Sequence, residues 1–182
     1  MSFAREMKRF GIAVCAIVIV IACRRAATHH GSGFDRNAFI LTTLQTTLAD
    51  NDLGAIAARR GRRPETRQLG ATLHREQHQL FSQLSAIAQR EKIAVPATIE
   101  PKKAALEENL SILSGEDFDR GYTLAMLQDA NAMSASFRAA STCGDPLIEN
   151  FAKQNLPVIA GEQQSAAALL KSLGGSPFGF VP

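Results

Sequence analysis

The sequence predicts an all-α fold: an antiparallel bundle of four long helices, with one short helix in the crossover between the second and third. Three observations lead there. Apolar residues recur at spacings of three, four and seven over most of residues 34–173, the period of one helical face. Stop and start signals separate those stretches, at Gly61 with Pro64, at Val95-Pro96, at Ser114 and at Gly144-Asp145-Pro146. Strand signals are absent. Amphipathic helices joined by short turns bury their stripes against one another.

The first helix spans about Asp35–Arg60 and stops at Gly61. The second starts near Pro64, a good first-turn residue, and runs to about Lys92. Its stripe is Leu69, Leu73, Leu80, Leu84 and Ile87. A short helix covers about Lys102–Leu113. Ser114 with Asp117 reads as a capping box for the third long helix, which carries Phe118, Tyr122, Met126, Met133 and Phe137. The fourth covers about Pro146–Leu173, and Pro157 inside it removes a backbone hydrogen bond and predicts a kink.

Ahead of this domain, Phe10–Cys23 reads FGIAVCAIVIVIAC and follows Arg5, Lys8 and Arg9. The apolar part covers roughly 20 Å as a helix, short of the roughly 30 Å of a bilayer core. A positive start, a short apolar run and a small residue at the cut site describe an export signal. Val20-Ile21-Ala22-Cys23 fits the bacterial lipoprotein form, so residues 1–22 are expected to be removed and Cys23 lipidated. Arg24 and Arg25 count against it, because positive charge after the apolar run hinders translocation. An ordinary signal or an uncleaved anchor are the other readings. Residues 23–33 then form a flexible polar spacer, and 174–182, GGSPFGFVP, an apolar tail. The expected location is periplasm-facing and lipid-anchored, in the outer membrane rather than the inner, since no aspartate follows Cys23.

The chain has 20 Lys and Arg against 17 Asp and Glu. Removing residues 1–22 takes away Arg5, Lys8, Arg9 and Glu6, leaving 17 basic and 16 acidic residues. A near-neutral mature chain speaks against nucleic acid. Arg59, Arg60, Arg62 and Arg63 cluster at the first turn, where they suit helix C-terminal carbonyls better than anionic lipids or glycans. Cys143 would be left without an intramolecular partner.

The residues from Phe39 to about Leu173 resemble the bacterial domain-of-unknown-function 4142 family. The resemblance is most specific in LSGEDFDRGYTLAMLQDA, at Leu113, Ser114, Gly115, Phe118, Asp119, Arg120, Tyr122, Met126 and Asp129. Phe39, Asp50, Leu53 and Gly54 fit the family's first helix, Leu73, Glu76, Ile93 and Pro96 its second, and Phe151, Ala152, Leu156 and Pro157 its fourth. The resemblance implies an exported, ferritin-like four-helix domain and no known activity. It also implies histidines after the helix-two and helix-three acids. Here Gln77 and Ala130 stand there, and a later helix-four histidine gives way near Glu162.

One acid per long helix remains: Asp50, Glu76, Asp129 and Glu162. Counted from the turns they stand at similar heights, and Glu76, Asp129 and Glu162 read as inward-facing, with Asp50 less clear. Four buried carboxylates cannot all ionise without a cation or bases. These four are therefore the metal candidates, with oxygen ligation favouring Mg, Ca, Mn or Fe. Pairing with Arg120, Arg138 or water, or facing outward, is the plainer reading. No Glu-x-x-His occurs, against di-iron chemistry. His74 and His78, at i and i+4, are a secondary metal candidate, weak without a third ligand. No catalytic motif or residue is visible. The expected function is a non-enzymatic envelope protein that binds a partner or supports stress tolerance, with no cofactor. The competing expectation is a metal-binding or redox protein using the mid-bundle carboxylates and a divalent cation.

Overall fold

The computed structural model describes residues 33–174. The predicted signal (1–22), Cys23, His29, His30 and tail residues 175–182 lie outside them. Five helices and no strand occur among the described residues: α1 Arg36–Arg60, α2 Pro64–Arg90, α3 Pro101–Ser111, α4 Gly115–Ala140 and α5 Pro146–Ser172. Each bound falls within about two residues of the sequence reading, as helix-end signals allow. None of these helices is long and apolar enough to cross a membrane.

The caps explain where the helices begin. The Asp35 carboxylate accepts from the amide of Ala38 at 2.9 Å, and Asp145 accepts from Leu147 at 2.9 Å and Ile148 at 3.3 Å. Each satisfies amides that have no partner inside the helix. The expected capping box at Ser114 and Asp117 does not form, because the Ser114 side chain makes no cap bond. Gly115 follows at φ +62°, a left-handed turn that a glycine adopts without strain and that sets the entry into α4. Pro157 leaves α5 continuous from Pro146 to Ser172. It lies on the exposed face, where water can satisfy the carbonyl that loses its amide.

The α1–α2 and α4–α5 hairpins pack along their lengths, and α1 lies against α4 as α2 does against α5. Helix α3 touches α1 and α4. The α1–α2 contact is backbone on backbone. A Cβ on Gly54 would stand 2.7 Å from the amide nitrogen of His74, and one on Gly70 2.6 Å from that of Ala58.

The apolar interior is in two parts. One holds Phe39, Ile40, Leu84, Phe137 and Phe151, with Phe39 edge-on to Phe137 at 5.2 Å. The other holds Leu53, Leu73, Phe118, Tyr122 and Leu170. In chain order the gap between them falls at Thr47 and Asp50 on α1, Gln77 on α2, Asp129 on α4 and Glu162 on α5.

Candidate functional site

That gap is a polar layer through the middle of the bundle. Asp50, Gln77 and Glu162 are 3%, 1% and 5% exposed. Burying a carboxylate this deeply is unfavourable unless something neutral or cationic answers it. Two internal groups do. From α3, Lys103 places Nζ 2.5 Å from Asp129 Oδ2 and 3.8 Å from Asp50 Oδ1. From α2, the Gln77 amide donates to both Glu162 oxygens at 2.9 Å. The expected arginine partners are not used, since Arg120 and Arg138 are both exposed to solvent.

One amino-acid step separates the sequence expectation from the structure on α2. The sequence reading puts Glu76 on the inward stripe. In the structure Gln77 shares that stripe with Leu73 and Leu80, and Glu76 is half-buried beside Arg75 at 3.9 Å. A helix turns 100° per residue, and the 73–77–80–84 row is a truer single face than 73–76–80. The acids therefore fall into two pairs, Asp50 with Asp129 and Glu162 with Glu76. Among the described residues no three His, Cys, Asp or Glu side chains come together as a metal-holding group.

Burial governs the protonation of this layer. Desolvation, helped by the Asp129 charge and a hydrogen bond shared with it, holds the Asp50 carboxyl well above its ordinary range, against the pull of Lys103. Glu162 is pushed up to about 8 by desolvation and by Glu76, with the Gln77 amide pulling the other way. Glu76 is raised by its partial burial. The Tyr122 phenol, fully buried in the field of Asp50 and Glu162, is held neutral across the physiological range. Near neutral pH, then, Glu162 holds its proton, and Asp50 is shifted in the same sense.

Not every polar atom is answered. Gln77 Oε1 and Tyr122 Oη are buried without a hydrogen-bond partner, and so are Asp50 Oδ1 and Asp129 Oδ2 apart from the Lys103 ion pair. Sequence reading missed Gln77, Lys103 and Tyr122 as members of the layer. Gln77 left a trace there as the residue standing where the resemblance implies histidine, and Tyr122 as a position of the third-helix pattern; Lys103 left none.

His74 is engaged elsewhere. Its Nδ1 lies 3.0 Å from the Asn51 carbonyl oxygen, and the Asn51 amide donates to the His74 carbonyl at 2.7 Å. His78 is exposed one turn on. The arginine cluster acts as a clamp at the α1–α2 turn. Arg60 donates to the Ser111 and Leu113 carbonyls at 2.9 and 2.8 Å and covers the Phe118 ring at 5.0 Å. Arg67 donates to the Gly61 and Arg62 carbonyls at 2.9 and 2.8 Å. Asp119, fully buried, accepts from the amides of Arg62 and Arg63 at 2.9 Å each. Among the described residues an open groove of about 380 Å³ lies between α2 and α5 around Leu69 and Leu169, and another of about 370 Å³ lies along α1 beside Ile99; no residue of the polar layer lines either.

The fold and the layer define a class: an all-helical domain with a buried carboxyl layer. The chain belongs to the family described as Domain of unknown function (DUF4142), which matches residues 22–169. Among solved structures it is similar to a DUF305 fragment from Deinococcus radiodurans, at 22% identity over 75% of this chain and 95% of that one, with a TM-score of 0.66. At that identity the likeness speaks for the fold. No curated protein matches the chain.

Proposed function

We propose that the chain is an exported lipoprotein, cut before Cys23 and held periplasm-facing, whose residues 34–173 form a ferritin-like antiparallel four-helix bundle with α3 in the crossover. The domain acts non-enzymatically, binding an envelope partner or supporting stress tolerance at the outer membrane. The observation that carries this reading is the closure of the polar layer. Asp50 and Asp129 are answered by Lys103 and Glu162 by Gln77, all from within the chain, and none of the layer's residues lines the α2–α5 groove or the groove along α1. The sequence supports the anchor through Val20-Ile21-Ala22-Cys23, and the spacer 23–33 and tail 174–182 complete the proposed organisation. Fractionation tests it: the full-length chain is expected in the membrane fraction with a lipid-modified Cys23 peptide, and Cys23→Ser in the soluble fraction. An unmodified cysteine at the same position would overturn the anchor.

A second reading, a metal-binding or redox protein using Asp50, Glu76, Asp129 and Glu162, is favoured by the orphaned oxygens of the layer. Metal content of the purified wild-type chain tests it. A near-stoichiometric metal lost in Glu76→Gln/Asp129→Asn would establish it; metal-free protein of unchanged stability would end it, along with the weaker His74/His78 pair.

A further inference from the structure

We infer that the Asp50–Asp129 pair is a hard-cation site whose resident occupant is the ammonium of Lys103, and that an oxygen-seeking divalent cation takes the site when that ammonium is withdrawn. The inference narrows the second reading to one pair of acids and rests on it only for the layer's attraction to cations.

Three observations carry it. Lys103 bridges the two carboxyl groups from outside the four long helices, on α3, where only Leu110 is fully buried. Its side chain is 15% exposed, so the ammonium has a short path to water. The two oxygens that face Lys103, Asp50 Oδ1 and Asp129 Oδ2, are buried without a hydrogen-bond partner, and so is Tyr122 Oη in the field of Asp50. Carboxylate oxygens are the donors that Mg, Ca and Mn ions take. Fully buried polar atoms without partners call for water or an ion.

The exchange replaces one cation by another at the same oxygens. Lys103 brings its ammonium to both carboxyl groups, and a divalent cation between them would expel that ammonium to solvent.

The test titrates Mn(II) into the full-length chain and into Lys103→Met, following free Mn(II) by electron paramagnetic resonance. Lys103→Met is expected to bind one ion at least about tenfold more tightly than wild type. Adding Asp50→Asn is expected to abolish the binding. If Lys103→Met is unfolded in chelator, Mn(II) is expected to restore its helical circular dichroism. Equal affinity in wild type and Lys103→Met would overturn the inference. So would a folded Lys103→Met that takes no ion, an unfolded one that Mn(II) does not restore, or binding that survives Asp50→Asn. Metal already present at Asp50–Asp129 in purified wild type would sustain the second reading and overturn this one.

Discussion

At the scale of single residues, the polar layer makes stability depend on pH in an unusual direction. Glu162 has a folded value of about 8 against an ordinary 4.5, so the folded state holds its proton more tightly than the unfolded chain does. Its contribution is complete below about pH 4.5 and is lost as pH rises through 8. Asp50 acts in the same sense. The melting temperature is therefore expected to fall from mildly acidic to mildly alkaline buffer. Glu162→Gln is expected to flatten that fall and to gain a few kcal/mol at the alkaline end, measured by chemical denaturation across pH. An unchanged slope would mean that Glu162 ionises freely. Lys103→Met leaves Asp129 without its cation and, by the cost of breaking a buried pair, is expected to lose about 3 kcal/mol in chelator. Lys103→Arg should not substitute well, because a guanidinium is larger than the space an ammonium fills.

Helix pairs are governed by how closely their backbones meet. At the α1–α2 contact Gly54 and Gly70 face backbone atoms at distances that no Cβ tolerates. Gly54→Ala and Gly70→Ala are each expected to cost about 2–4 kcal/mol by forcing the hairpin apart. At Gly161, in the middle of α5, a Cβ would meet nothing within 4 Å. Gly161→Ala is expected to stabilise by about 0.5–1 kcal/mol, the ordinary helix preference for alanine. Thermal melts of the three variants decide it, and equal shifts would contradict the close packing. The Asp119 clamp belongs to this scale too. Its carboxylate from α4 satisfies two amides of the α1–α2 turn, so Asp119→Ala orphans both. It is expected to cost about 2–3 kcal/mol.

On the whole-molecule scale, two apolar cores stacked across a polar layer give the bundle a seam at mid-height. The seam is held by Lys103 and by the Gln77–Glu162 bonds, and α3 is the element that spans it from outside. Hydrogen exchange is expected to show faster opening of 101–111 in Lys103→Met than in wild type, with little change in α2 or α5; uniform acceleration would mean that α3 is not separately latched. Within the layer Lys103 supplies a cation to Asp50 and Asp129, and Gln77 supplies neutral donors to Glu162.

The sequence alone determined the five helices and their stripes, because period and punctuation are local properties written into consecutive residues. It also led to the family, through LSGEDFDR, and placed an acid on each long helix at one level. Only the tertiary structure decided which of those acids meet. Glu76 and Gln77 are neighbours in sequence, and although the 100° turn favours Gln77 for the inward row, its bonds to Glu162 exist only once α2 has docked on α5. Lys103 reaches Asp50 and Asp129 across 53 and 26 residues of chain, and no local pattern reports such a meeting. The Asp119 clamp and the Gly54–Gly70 contact are of the same kind: each is a relation between two helices, fixed by packing rather than by the order of residues in either.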